Sequence, residues 1–210
     1  MELGTIAGLW RYPVKSLKGE ALERATVEAD GLAGDRTSAL VIETPTHARA
    51  GKPYRGKESA QLHLTSDPET AATYAADANV MVTLDRSRPR WFDAGPVSLL
   101  FDLWVRDVEA LVGEALDPLR WRPNLFVRAA PEFTRREPAL VGTRVRAGAV
   151  VLQVVSTIGR CVTPTYDVTT GEPLPRLLEM VATQRDNVVG VYCEVVTPGE
   201  LALGDSVSEG

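Results

Sequence analysis

The sequence predicts a β-rich α+β chain, folded as a mixed or antiparallel β-barrel with a few short helices. Three observations lead there. Short apolar runs rich in β-branched residues recur along the chain, each bounded by glycine, proline, aspartate or asparagine. Only three segments have helical form. The strands do not alternate regularly with those helices, which argues against a doubly wound sheet. At 210 residues the chain can bury a sizeable core without staples.

Leu3 to Trp10 is apolar with glycine and threonine interspersed and reads as a strand, stopped by Tyr12-Pro13-Val14 because proline cannot donate to a ladder. Ala21 to Ala29 alternates as a second strand, and Asp30-Gly31 and Gly34-Asp35 are turn signals. Arg36 to Glu43 holds Ala39-Leu40-Val41-Ile42, a third strand. Thr44 to Ala60 is broken by Pro45, Gly51, Pro53 and Gly56 and reads as a long cationic surface loop, a length that goes with function or mobility. Ser66-Asp67-Pro68-Glu69 has capping-box form and opens a short helix to about Ala76. Asn79 to Leu84 is a strand. Arg86 to Pro96 is a proline-bearing connection, dividing the chain into halves at 1–95 and 96–210.

Val97, Leu100, Phe101, Trp104, Val105, Val108, Leu111 and Val112 recur at helical spacing, which predicts a helix ending near Gly113 with an apolar, core-facing stripe. Leu125-Phe126-Val127 follows as a strand. Thr143 to Arg146 and Ala149 to Val155 form a hairpin turning at Ala147-Gly148, and its nearly all-apolar second arm belongs at the centre of a sheet. Pro175 to Gln184 suits a helix with proline in its first turn. Val188 to Val196 and Glu200 to Val207 close the chain as strands joined at Pro198-Gly199.

The totals narrow the function. A net charge of −5 disfavours a general nucleic-acid or anionic-membrane surface. Positive charge is mostly arginine, with lysine only at Lys15, Lys18, Lys52 and Lys57. Two cysteines make no disulfide framework, the N-terminus lacks signal-peptide form, and no apolar run approaches a membrane span. A cytoplasmic protein with reduced thiols is expected.

Three clusters carry candidate chemistry. Lys15-Ser16 and Gly34-Asp35-Arg36 place cations where strands meet turns; they are either solvated loop residues or a phosphate site made of a point charge, a hydroxyl and a planar fork. Arg122-Pro123-Asn124 is either a turn leading into a strand or a fork and an amide facing a heterocycle. Arg160-Cys161 sits past an apolar strand among loop breakers. There Cys161 is a metal ligand, a nucleophile or packing, and Arg160 favours its thiolate. Cys193 lies in strand rhythm with Val189, Val191 and Val195 and reads as core. His47 and His63 do not form a zinc spacing with the cysteines, and there is no G-x-S-x-G and no P-loop.

Taken together and in this order, these pieces resemble the MOSC family, molybdenum-cofactor-binding domains named after the C-terminal domain of molybdenum cofactor sulfurases. Tyr12-Pro13-Val14-Lys15-Ser16 and Asp30-Gly31-Leu32-Ala33-Gly34-Asp35-Arg36 look like the β-barrel half that precedes MOSC domains. Arg122-Pro123-Asn124, Glu137 before Gly142, Arg160-Cys161, Asp167 through Gly171, and Pro198-Gly199 before Gly204-Asp205 are similar to the MOSC domain itself. The resemblance covers almost the whole chain.

The resemblance implies a molybdenum cofactor (molybdopterin), with Cys161 as catalytic and metal-binding residue through its sulfur, a soft ligand beside the pterin dithiolene. It implies cofactor contacts from Lys15, Ser16, Arg36, Arg122, Asn124 and Arg160. The implied activity is reduction of small N-hydroxylated compounds, as in amidoxime-reducing members. Some members carry a ferredoxin domain, and this sequence holds no such cysteine cluster, so electrons are expected from a separate partner protein. A persulfide or cofactor carrier built on Cys161 is the alternative. One departure stands out: Gly95 to Asp102, where the better-known reductases have a turn rich in serine and threonine, has Ser98 as its only hydroxyl.

Overall fold

The computed structural model describes residues 1–210. Strand β1 (Glu2–Arg11) buries Leu3, Ile6 and Leu9. It is followed by β2 (Glu20–Leu22), β3 (Arg24–Glu28), β4 (Gly31–Leu32) and β5 (Ala39–Ile42). Helix α1 (Pro68–Asp77) and strand β6 (Val82–Asp85) complete the first part. Next come β7 (Val97–Phe101), α2 (Asp102–Val112), β8 (Leu125–Ala129), β9 (Arg144–Ala147) and β10 (Val150–Gly159). The chain finishes with α3 (Pro175–Gln184), β11 (Val188–Thr197), β12 (Gly199–Ala202) and β13 (Ser206–Glu209).

Seven strands close into a barrel in the order β13-β9-β10-β11-β7-β8-β1, sealed by antiparallel pairing of β1 with β13, while β2 extends from β1. The β7–β8 pair is parallel and every other barrel pair is antiparallel, so of the mixed and antiparallel forms the sequence allows, the barrel is the mixed one. Closure removes the unpaired edges that an open sheet would expose. Two small sheets attach to it, β12-β3-β4 and β5-β6. The principal core, 32 buried residues, fills the barrel and the α2 and α3 interface, and draws Leu3, Ile6, Leu9, Ala25, Val27 and Leu32 from the first part of the chain. A separate cluster of nine, including Val14, Leu40, Tyr54, Leu62 and Ala71, makes a side lobe around β5 and α1. The site lies between barrel and lobe.

The structure corrects several element boundaries. Val97–Phe101 is a strand, with the helix beginning only at Asp102. All five residues of β7 are buried, because β11 and β8 flank it and α2 packs above, so the strand shows no alternation and its apolar run merges with the helical stripe behind it. The stripe itself is core, with Trp104 packed 4.9 Å from Phe101 between ring centroids, and Gly113 ends α2 in the left-handed conformation. Asp67, not Ser66, caps α1, accepting from Glu69 N at 3.3 Å and Thr70 N at 2.9 Å, since Pro68 takes the first helical position. The segment expected as one strand over Ala21 to Ala29 divides at Glu23, because β2 pairs with β1 and β3 with β12. The final strand also divides. A turn at Gly204-Asp205, whose carboxylate accepts from Ala202 N at 2.8 Å, returns the chain to the barrel as β13. The β9–β10 turn falls at Gly148-Ala149.

Candidate functional site

Four loops meet at one cavity of about 310 Å³ between the barrel and the lobe. The end of β1 brings Lys15 and Ser16. The turn before β5 brings Arg36. The turn before β8 brings Arg120, Trp121 and Arg122, and the end of β10 brings Arg160 and Cys161. Lys15, Ser16, Arg36, Arg122, Arg160 and Cys161, singled out from the sequence, all line it. Asn124 does not line it: it is wholly buried behind the wall. Its side-chain oxygen accepts from Ser98 N at 3.0 Å and Ser98 Oγ at 2.9 Å, and its amide donates to Trp10 O at 3.2 Å. Asn124 thus ties β1, β7 and β8 together. It also accepts from Arg36 Nη1 at 3.3 Å, so it acts on the cavity through Arg36. Ser98, the lone hydroxyl of Gly95 to Asp102, lies in β7 and does reach the wall.

The local backbone is strained toward this cavity. Six non-glycine residues have positive φ, and three of them, Asn79, Asp186 and Asn187, are of the types that tolerate it. The other three are Ser16 (φ 72°), Arg36 (φ 48°) and Arg122 (φ 54°), all on the cavity wall. Such residues cost on the order of 1–3 kcal/mol each and gather where a side chain must be aimed. Tyr12 anchors the aim. Its amide donates to Asp35 Oδ1 at 2.7 Å, its hydroxyl to Pro123 O at 3.1 Å, and its carbonyl accepts from Arg36 N at 2.7 Å. The guanidiniums of Arg36 and Arg122 lie 4.9 and 4.3 Å from the Tyr12 ring centroid, within cation–π reach. Burial pushes the Tyr12 hydroxyl up to about 12, so it stays a neutral donor.

The cations differ in how well they are compensated. Burial opposes the charge of Arg36, but the buried Asp35 carboxylate beside it more than offsets this and holds its pKa above the usual value. Lys15 pairs with the exposed Asp93 at 2.5 Å. Arg120 is clamped to Asp167 at 2.8 Å and to Thr165 O at 3.0 Å, which pins the cysteine loop. Arg160 donates to Val189 O from Nε at 2.7 Å and to Trp121 O at 3.0 Å, so its fork grips main-chain carbonyls and fixes the residue next to Cys161. Burial pulls its pKa down to about 10. Arg122 has no carboxylate at all. Burial pulls it down to about 10, and its Nη2 is buried without a partner, as is the indole nitrogen of Trp121 on the same wall. An unpaired buried guanidinium beside a second one is a site that an anion would complete. The wall as a whole carries seven cations, Lys15, Arg36, Arg55, Lys57, Arg120, Arg122 and Arg160, against one carboxylate, Asp93.

The thiol of Cys161 is exposed, with Thr163 Oγ1 3.2 Å from it. Cys193 is fully buried in β11, and burial pushes its thiol up to about 12, so it is packing, as its strand rhythm predicts. No group of three or more His, Cys, Asp or Glu side chains is placed to hold a metal ion. A metal beside Cys161 would therefore have to bring most of its ligands with it. That requirement and the cationic wall fit a metal carried on an anionic, phosphate-bearing organic ligand, with Lys15, Ser16, Arg36 and Arg122 facing the phosphate and Cys161 facing the metal. Arg55, Gly56 and Lys57 of the Thr44–Ala60 loop also line the cavity, as do Arg120, Asp93 and Tyr192. The sequence marks that loop as cationic but does not say which of its residues reach the site.

A closed mixed barrel with an exposed thiol above a cationic cavity defines the class of protein. The chain matches the MOSC domain over residues 92–208 and the MOSC N-terminal beta barrel domain over residues 3–85, and it belongs to the MOSC family. Among solved structures it is similar to the YUAD protein from Bacillus subtilis, at 16% identity and a TM-score of 0.59, covering 98% of this chain and 94% of that one. It is also similar to YiiM from Escherichia coli, at 12% identity and a TM-score of 0.47, covering 100% of this chain and 70% of that one. At its identity the first likeness speaks for the fold. No curated protein sequence matches the chain. No helix is long and apolar enough to cross a membrane.

Proposed function

We propose that this protein is a molybdenum-cofactor-dependent reductase of small N-hydroxylated compounds, acting in the cytoplasm with electrons from a separate partner protein. MOSC domains as a group are associated with the molybdenum cofactor. The observation that carries the reading is the convergence of Lys15, Ser16, Arg36 and Arg122 on the same cavity as the exposed Cys161 thiol. The cofactor, when bound, supplies the two-electron chemistry by which an N–OH compound takes two electrons and two protons and leaves as the amine plus water. The chain's own residues do the rest. Arg36 and Arg122 bind negative charge at the inner wall, aimed by Tyr12 and Asp35. Arg160 and Arg120 fix the loop that presents Cys161. Ile158, Pro164 and Trp121 give that wall an apolar side that limits water.

The test is to purify the protein from a host that makes the cofactor and to measure molybdenum and released pterin per chain. Near one of each is expected for the wild type. Because Cys161 is exposed, Cys161→Ala should stay folded, within about 0.5 kcal/mol of wild type, while losing turnover and altering the metal. A Cys161→Ala protein that keeps both molybdenum and turnover would sink the proposal. A second reading is favoured by the accessibility of this one thiol: Cys161 carries sulfur as a persulfide, or the protein carries the cofactor to another protein. Transfer of labelled sulfur from a desulfurase to a metal-free, wild-type chain would select it.

A further inference from the structure

The lobe contributes more to the cavity than the resemblance in sequence accounts for. Four cations, Arg49, Lys52, Arg55 and Lys57, stand against one acid, Glu58, between Thr44 and Ala60 of a chain whose net charge is −5. The segment is a built structure rather than a loose loop. Tyr54 is buried and its amide donates to Leu40 O at 2.7 Å, while Pro53 bridges to Val41. Glu58 holds the tip from inside: it lies 2.8 Å from Arg49 and 3.1 Å from Arg55, and accepts from Arg55 N at 2.6 Å. Gly56 at the tip packs on the side chain of Thr163, leaving a β-carbon there only 3.1 Å from Thr163 Cγ2. Thr163 is in turn the hydrogen-bonding neighbour of the Cys161 sulfur. Arg55 and Lys57, on either side of Gly56, therefore line the same cavity as Cys161, beside the residue that its thiol contacts.

Arg55 is half satisfied by Glu58. Lys57 is exposed and makes no ion pair, leaving one free positive charge at the mouth. A phosphate held by Lys15, Ser16, Arg36 and Arg122 leaves these two cations unused. We propose that Arg55 and Lys57 form a substrate subsite for a single carboxylate, so that the compounds turned over at Cys161 are organic monoanions. A guanidinium fork and an ammonium together suit the two oxygens and single charge of a carboxylate. This deepens the function proposed above by naming its substrate class.

The test uses metal-free protein in phosphate buffer, so that inorganic phosphate occupies the inner cations, with Cys161 as reporter. The rate of iodoacetamide alkylation at Cys161 is followed by mass spectrometry with added benzoate or benzamide. Benzoate should slow alkylation about fivefold at about four times its dissociation constant, and benzamide should not. The Arg55→Gln/Lys57→Gln variant should lose that protection, read as the ratio of its own alkylation rates with and without benzoate. Lys52→Gln, which removes a lobe charge away from the cavity, should keep it. Equal protection by benzamide, protection retained in the double variant, or protection lost in Lys52→Gln would each overturn the proposal. Failure to bind molybdenum would sink the reductase reading and leave this measurement standing.

Discussion

At the scale of single residues, the site is made of polar groups held in costly states. His63 shows this away from the thiol. It is buried, stacked on Tyr166 with centroids 5.9 Å apart, and its Nε2 donates to Asp167 O at 2.8 Å. A carbonyl only accepts, so the proton is on Nε2, and Nδ1 is buried with no partner. Burial lowers the His63 pKa, with Arg122 and Arg120 adding to the effect. A pKa below the unfolded value of about 6.5 means that the unfolded chain binds more protons, so stability falls as pH drops through and below about 6.5. Thermal unfolding between pH 7.5 and 5.5 should show this loss, and His63→Gln should flatten it. An unchanged slope would show that His63 is not the group responsible. Nothing in the spacing of His63 announces this role. Asn124 was equally opaque, since a wall residue and one buried behind the wall leave the same three-letter motif.

A second connection between elements supports the cysteine loop from behind, through Glu137 and the strand that Arg160 grips. This fully buried carboxylate opens the short 3-10 turn Glu137–Leu140 and pairs with Arg185 at the end of α3 at 2.7 Å. It also accepts from Gly190 N at 3.3 Å. Arg185 reaches on to Asp107 of α2, also at 2.7 Å. Gly190, at φ 86°, leaves room that a β-carbon would take from Arg160 Nη2 at 3.0 Å and Leu99 O at 3.2 Å. The adjacent Val189 carbonyl is the one Arg160 grips. Glu137→Ala would leave the buried Arg185 with only the half-exposed Asp107 and Gly190 N without a partner, and should cost about 1–3 kcal/mol in denaturant unfolding. A cost below 1 kcal/mol would mean the network is not closed as described. The elements around it were readable in the sequence where they had a solvent face or a proline start, as α3 did from Pro175. They were unreadable where every residue is buried, as in β7.

For the whole molecule, the balance of charge predicts linkage to anions. The chain is acidic overall, yet its cavity wall is strongly cationic and holds the unpaired Arg122. Any anion that binds there and not to the unfolded chain stabilises the fold, by about 2.7 kcal/mol at 100 times its dissociation constant. For a chain of this size, each 1 kcal/mol raises Tm by about 2–4 °C. Inorganic phosphate should therefore raise Tm in a saturable way that chloride at equal ionic strength does not reproduce, and Arg122→Gln should abolish most of the rise. A phosphate response that survives Arg122→Gln would place the anion elsewhere. The barrel class was legible because apolar, β-branched runs bounded by turn residues recur without alternating regularly with helices. The cavity was legible only as loose clusters, since what gathers Lys15, Arg36, Arg122 and Cys161 is strand order, and strand order is set by pairing across distances that local patterns do not record.

Closure of the barrel by β1 has a consequence for how the chain comes into being. The partners of β1 are β8, which begins at Leu125, and β13, which begins at Ser206. At about 5–20 residues per second, the ribosome makes the first strand on the order of ten seconds or more before the last is available to it. Until β13 is made, β1 can pair with β8 on one side only, so Leu3, Ile6 and Leu9 face a barrel that is still open. The newborn segment must stay soluble on its own or be shielded until the C-terminal strand emerges. The barrel then closes in one late event, when strands made far apart in time pair with each other.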